Sequence, residues 1–189
     1  SCRIEIVKIH EESGTVARID GDVLIADQTW THCTILPLRN PLGFQVFTNQ
    51  IFLTHAVQRH MIQLHASLID DHGRGVVFLG PSGIGKTTQA ERWMQYRGAS
   101  ILNGDMVFVQ ETQGPGKQYL GWGTPWHGSS PYCLNANVPV KALVVLKQAS
   151  ENRLRELTGF EKVAEVSGSV FYPTWLENGM ELCTDTLNH

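Results

Sequence analysis

The 189-residue chain carries a formal net charge of −3, so it offers no broad basic surface to nucleic acid. No apolar run approaches the roughly 18–20 residues that a membrane-spanning helix needs. With 42% hydrophobic residues, the chain can bury a sizeable core in one domain, with room for a small N-terminal addition. The cysteines Cys2, Cys33, Cys133 and Cys183 form no C-x-x-C pair. A zinc ribbon or a thioredoxin motif is therefore not expected, and reduced cytosolic thiols are. No secretory leader is visible. The sequence starts at Ser1 without a Met, which leaves N-terminal targeting open.

Residues 2–9 alternate in polarity and predict a strand. Residues 11–14 predict a turn. Residues 16–19 and 23–26 predict two further strands joined at Asp20-Gly21, a hairpin signal. Residues 30–38 predict another strand, in which Trp30 and His32 are expected to pack rather than to bind. Asn40-Pro41-Leu42-Gly43 reads as punctuation. Residues 49–63 change to a loose helical period through Ile51, Phe52, His55, Ala56, His60 and Ile62, with Thr48 or Asn49 as cap. His55, His60 and His65 lack the spacing of a helical metal pair. These features divide the chain into a β-rich section, 1–48, and a second domain, 49–189, whose C-terminal helix could continue beyond the sequence.

Residues 64–69 predict a strand and Asp70-Asp71-His72-Gly73-Arg74 a turn. The apolar run Gly75-Val76-Val77-Phe78-Leu79 then predicts a buried strand. The link between the two strands is too short for a parallel crossover, so they must pair antiparallel. The second strand delivers Gly80-Pro81-Ser82-Gly83-Ile84-Gly85-Lys86-Thr87, which fits the phosphate-loop pattern G-x-x-x-x-G-K-[ST] at every required position. Glycines at 80, 83 and 85 let backbone N–H groups curl around phosphate oxygens. The helix that follows, through Arg97 to a stop at Gly98, presents its N-terminus to the anion. Its core face is expected to carry Ala90, Trp93, Met94 and Arg97. Lys86 would meet the terminal phosphates and Thr87 would hold Mg²⁺. Thr88 completes the nucleotide-binding stretch. The hairpin puts His65 beside the same end of the sheet.

Residues 99–102 and 106–109 predict strands around Asn103-Gly104-Asp105. Asn-Gly is a strong hairpin signal. Asp105 also follows an apolar strand, as a carboxylate that holds Mg²⁺ or takes a proton would. Residues 118–121 predict a strand. The stretch Trp122-Gly123-Thr124-Pro125-Trp126-His127-Gly128-Ser129-Ser130-Pro131 is too irregular for either periodicity, and suits a binding surface or a packed loop equally. Residues 140–146 predict a buried strand. Arg153 and Arg155 are expected on the surface, and Thr158 with Glu161 predicts a capping box. Residues 170–187 are apolar but without pattern.

From 64 to 109 the chain resembles HPr kinase/phosphorylase and the ATP-type phosphoenolpyruvate carboxykinases. Three segments carry the resemblance: His65-Ala66-Ser67, the loop Gly80 to Thr87 in its G-x-S-G-x-G-K-[ST] wording, and Ile101-Leu102-Asn103-Gly104-Asp105-Met106-Val107. Gly123-Thr124-Pro125-Trp126 and Glu151-Asn152-Arg153 are similar to small HPr-kinase-like proteins, some of which accompany peptide-modifying gene clusters. The resemblance implies an α/β, mixed-sheet P-loop domain of the type shared by the HPr kinase C-terminal domain and the carboxykinases, after a β-rich N-terminal section. It implies ATP- or GTP- and Mg²⁺-dependent phosphoryl transfer to a hydroxyl, with Lys86, Asp105 and His65 as catalytic residues and Thr87 and Asp105 at the metal. The expected acceptor is Ser or Thr of a peptide or protein. A metabolite such as free serine, with residues 122–130 as lid, or a slow nucleotide-dependent regulatory module are the alternatives. The relatives often assemble into oligomers, which implies a homo-oligomer, and a cytoplasmic location is expected. One departure stands out: the family has Asp-Asp where this chain has Gly104-Asp105, so the base is left open between Asp105, His65 and water.

Overall fold

The computed structural model describes residues 5–8, 15–19, 21–36, 39 and 41–188. The turn expected at 11–14, Asp20 and Cys2 lie outside these. The chain divides into two units, residues 1–59 with Pro173–Glu181, and residues 60–172 with 182–189.

In the first unit β1 (Glu5–Lys8), β2 (Thr15–Ile19), β3 (Asp22–Ala26) and β4 (Cys33–Leu36) pair antiparallel in sequence order. Along β3, Asp22, Leu24 and Ala26 are buried while Ile25 faces out, the period of two that a half-buried strand imposes. Buried Asp22 accepts the Arg39 N–H on both carboxylate oxygens, at 2.9 and 3.1 Å. The strand expected over 30–38 is shorter. Trp30 lies instead in the turn before β4 at φ 57°. There it packs on Trp175 with ring centroids 6.0 Å apart, in a core with Ala17, Leu24, Ala26 and Phe47. His32, expected to pack, is exposed and pairs with Asp27 at 3.2 Å.

The helix α1 (Pro41–Ala56) starts well before the expected Asn49. Pro41 opens it, because a proline at the first helical position loses no hydrogen bond. Thr48 and Asn49 are therefore interior residues and not caps. The face buried is Gly43, Phe47, Gln50, Leu53, Thr54 and Ala56, while Phe52 is exposed. The division expected at residue 48 falls inside this helix, and the observed one follows Arg59.

The second unit is built on β5 (Met61–Asp70), which pairs antiparallel with β6 (Gly75–Leu79), β7 (Ser100–Asn103), β8 (Met106–Glu111) and β11 (Val170–Phe171). With β9 (Tyr119–Trp122) and β10 (Asn137–Val145), the pairings β5–β6–β10–β9–β8–β5 close on themselves. Only β6–β10 is parallel in this ring. The short link between β5 and β6 gives the antiparallel pair that its length requires. β7 and β8 do not form the hairpin that Asn103-Gly104 suggests. Both run antiparallel to β5, one after the other along its length. β10 is longer than expected and mostly half-buried, with Val138 its one fully buried residue.

Between β6 and β7 runs α2 (Lys86–Arg97). Ala90 and Trp93 enter a core with Ile69, Val76, Phe78 and Ile101. Trp93 meets Phe78 edge-on at 6.1 Å, a geometry worth about 0.5–1.5 kcal/mol beyond burial. Met94 and Arg97, expected on this face, are exposed. Gly98 stops the helix in the left-handed conformation, its N–H reaching the Met94 carbonyl. Arg97 binds buried Asp71 through Nε at 3.3 Å and Nη2 at 2.9 Å, which fixes the helix end to the β5–β6 turn.

The short α3 (Phe160–Ser167) begins after Gly159 with no side-chain cap. Glu161, expected in a capping box, pairs with Arg155 instead. Arg153 pairs with Glu151 on the surface. α4 (Gly179–Asn188) supplies order to the patternless tail. Cys33, Cys133 and Cys183 are free thiols, and burial pushes the Cys183 thiol up to about 11. Among the described residues, no helix is long and apolar enough to cross a membrane.

Gly123 sets how closely β9 approaches β7. A methyl group there would lie 2.0 Å from the Leu134 carbonyl oxygen and 2.9 Å from that of Leu102. Both are backbone atoms that cannot rotate away. Gly123→Ala is expected to destabilise the chain by about 2–3 kcal/mol, read as a lower urea midpoint at unchanged m-value. An unchanged midpoint would show that the two segments separate freely.

Candidate functional site

The site follows from the register at the middle of β5. Ala66 is opposite Leu79, the last residue of β6, on one edge. On the other edge its N–H donates to the Asp105 carbonyl at 2.8 Å. One residue of β5 thus fixes where the phosphate loop begins and where the β7–β8 junction lies. His65, its neighbour, pairs with Met106 and donates its N–H to the Ser169 carbonyl at 2.8 Å.

The loop itself has the backbone that its glycines predict. Gly80, Gly83 and Gly85 take φ of 138°, 78° and 107°, a region that side chains rarely adopt. The first helical bond of α2 runs from the Gln89 N–H to the Gly85 carbonyl at 2.9 Å. The N–H groups of Lys86, Thr87 and Thr88 precede it and have no partner within the helix, which is the donor set an anion needs. Lys86 Nζ folds back to the carbonyls of Gly80 and Pro81, at 2.9 and 3.1 Å. Burial lowers the Lys86 pKa, while the Asp105 charge opposes that shift.

Across from the loop, His65 Nε2 lies 3.0 Å from Asp105 Oδ1. The His65 hydrogen bond holds the Asp105 carboxyl below its ordinary value, against burial, with further help from the charges of His65, Lys86 and His127. Thr87 Oγ1 donates to the Gly104 carbonyl at 3.2 Å and Ser67 Oγ to the same oxygen at 3.0 Å. The helix start and β5 therefore both grip the peptide before Asp105.

These groups face one cavity of about 410 Å³, lined by His65, Ser82, Gly83, Gly85, Lys86, Thr87, Thr88, Gly104, Asp105, Ser129, Ser130 and Pro131. The sequence-predicted residues His65, Lys86, Thr87, Thr88 and Asp105 meet there. Gly80, Pro81 and Ile84 shape the loop from behind it. A nucleoside triphosphate fits the donor set: free helix N–H groups, a glycine cradle and a cation. Thr87 and Asp105 could supply two oxygen ligands, enough for Mg²⁺, an ion that keeps most of its water.

Two features were not read from the sequence. The first is Asn103, which the hairpin interpretation treated as a turn residue. It is fully buried. Its Oδ1 accepts the N–H groups of Asp105 and Met106 at 2.8 and 2.9 Å. Its Nδ2 donates to the carbonyls of Thr124 and Trp126, at 2.9 and 3.2 Å. The available signal was an Asn two residues before a candidate carboxylate, a position from which its side chain can bond its own backbone. The second is the wall formed by Ser129, Ser130 and Pro131. Trp122 and Trp126 turn out to be engaged within the unit, Trp122 donating its indole N–H to Gln110 Oε1 at 3.1 Å and Trp126 meeting Phe108 edge-on at 6.4 Å. The polar residues after them reach the cavity.

Residues 42–186 match the family model described as "ScmC: SynChlorMet cassette protein ScmC", and the chain belongs to this family. No curated protein matches it.

Two predictions follow from the geometry. Asn103→Ala leaves buried carbonyls and N–H groups unpaired and should cost about 1–3 kcal/mol, with faster hydrogen exchange in residues 124–131. Unchanged exchange there would remove Asn103 as the link between Asp105 and that segment. The second concerns pH. A carboxylate whose folded pKa is depressed stabilises the fold above its unfolded value, about 3.9, and loses that contribution as pH falls through the folded value. Wild type and Asp105→Asn should therefore converge in stability below about pH 4 and separate above it by up to roughly 1 kcal/mol, since the pair is partly solvated. Parallel curves throughout would show that the His65–Asp105 contact does not form in solution.

Proposed function

We propose that the chain is an ATP- and Mg²⁺-dependent kinase of the HPr-kinase-like branch of P-loop proteins, transferring a phosphoryl group to a Ser or Thr hydroxyl of a peptide or protein. The observation that carries this is the convergence of Lys86, Thr87, His65 and Asp105 on a single cavity beside a helix N-terminus. Mixed antiparallel and parallel pairing around β6 supports the assignment to that branch.

Bound Mg²⁺–ATP, or GTP, supplies the transferable group and neutralises part of its charge. The chain's own residues bind and orient. The N–H groups from Gly85 to Thr88 and the Lys86 ammonium stabilise the phosphate oxygens, and these contacts matter most where charge develops. Lys86 must release the carbonyls of Gly80 and Pro81 to do so. Thr87 and Asp105 would hold the metal, and the carbonyl of Gly104 accepts the Thr87 hydroxyl hydrogen, which leaves the oxygen lone pairs for a cation. His65 orients the Asp105 carboxylate through Oδ1, and would carry a proton or a charge during transfer. The absence of a carboxylate at position 104 places the weight on positioning and electrostatics. The protein would work in the cytoplasm as a homo-oligomer. A metabolite acceptor is the second reading, supported by Ser129, Ser130 and Pro131 walling the cavity to a modest size.

The test is incubation with γ-labelled ATP and Mg²⁺ against a serine-containing peptide, free serine and buffer. Label on peptide supports the kinase of peptides. Label on free serine moves the reading to a metabolite kinase. Nucleotide binding without transfer or release leaves a regulatory module. Lys86→Ala should remove all transfer, and Asp105→Asn should lower kcat by about 10²-fold or more. Full transfer by Lys86→Ala would sink the assignment of the site.

A further inference from the structure

Residues 127–131 carry the part of the cavity wall, Ser129 to Pro131, that nucleotide binding leaves without a role. They reach across from β9 and are held over the β7–β8 junction from several sides. Asn103 grips Thr124 and Trp126, and the Leu134 N–H donates to the Leu102 carbonyl at 2.7 Å. The His127 imidazole donates through Nδ1 to the Ser130 carbonyl, while the Ser130 N–H returns to the His127 carbonyl at 2.9 Å. The segment lies directly on the site. A methyl group on Gly128 would fall 2.3 Å from Asp105 Oδ2, and one on Gly104 would fall 1.9 Å from Ser130 Oγ. A side chain at position 104 would compete with Ser130 for the space beside it.

That places the Ser130 hydroxyl against the residue whose carbonyl holds the Thr87 hydroxyl, in the same cavity as Lys86 and Asp105. Ser130 Oγ accepts the Tyr132 N–H at 3.3 Å. Among the described residues, no acceptor takes its own hydrogen. Ser129 also borders the cavity, but it is exposed where Ser130 is half-buried and fixed.

We propose that Ser130 is a phosphoryl acceptor in cis, so that the domain phosphorylates its own cavity wall. This rests on the kinase reading above. In the step, a bond forms between Ser130 Oγ and the γ-phosphorus of ATP, and the bond from that phosphorus to the β,γ-bridging oxygen breaks. ADP leaves with the electron pair, and the hydroxyl proton passes to solvent. Holding the hydroxyl in the site by covalent and hydrogen-bonded connection replaces a bimolecular encounter with an intramolecular one.

The experiment uses the full chain with γ-labelled ATP and Mg²⁺ and no peptide, followed by proteolysis and mass mapping. Nucleotide binding and transfer to a serine peptide are measured on the same preparation. Phosphate on Ser130, approaching one per chain at a rate independent of protein concentration, is the expected result. Ser130→Ala should lower that incorporation at least 10-fold, and Lys86→Ala should do the same. Nucleotide binding and peptide transfer with no phosphate at Ser130 would overturn the proposal and leave the kinase reading intact. Phosphate on Ser129 or elsewhere would likewise overturn it. A rate that rises with protein concentration would overturn transfer in cis. Absence of nucleotide binding would bring down both readings together.

Discussion

The second unit depends on the register of β5. That strand accepts β6 and β11 along one edge and β7 and β8 along the other. At Ala66 the two edges are tied to the end of β6 and to the peptide of Asp105. A strand register cannot drift by one residue without turning every buried side chain to the other face. β5 is buried along nearly all its length, so its register is held by the whole core. The distance between the phosphate loop and Asp105 is therefore a property of the sheet, and not of the loops that carry the chemistry.

The carbonyl of Gly104 is the second joint. It receives hydroxyls from Ser67 on β5 and Thr87 on α2, while the N–H of the same peptide and that of the next are held by the side chain of Asn103. Each bond alone is worth about 1 kcal/mol. Together they leave Asp105 little freedom except at its carboxylate, which is shared with His65. Preorganisation of this kind costs nothing at the moment a ligand arrives.

Much of this could be seen in the residues before the coordinates. The phosphate loop, its flanking strand and helix, and the hairpin that brings His65 alongside are local patterns, and local patterns survive folding. What could not be seen was non-local. Pro41 reads as a stop, yet it is an equally good first helical residue, and only packing of Phe47 and Leu53 decides between them. Asn103-Gly104 has the composition of a two-residue turn. It becomes a step along a single edge because β5 is long enough to take β7 and β8 in succession. Ser130 is separated from Asp105 by a long excursion through β8 and β9, so no spacing rule connects them. The tryptophans drew attention to that excursion, but they serve packing, and the smaller residues behind them reach the cavity.

The closed ring of pairings has a consequence for how the protein is made. Its one parallel contact joins Gly75–Leu79 to residues 140–145, across the phosphate loop, α2 and three further strands. The Leu146 N–H bonds to the Leu79 carbonyl at 2.8 Å, and the Leu146 carbonyl lies 3.1 Å from where a side chain on Gly80 would begin. The loop is thus shaped from behind by a strand that leaves the ribosome long after it. Contacts of such sequence separation form late, because the loop they close must be ordered first. A nascent chain that ends before β10 carries the whole glycine-rich loop without the wall that gives it its curvature.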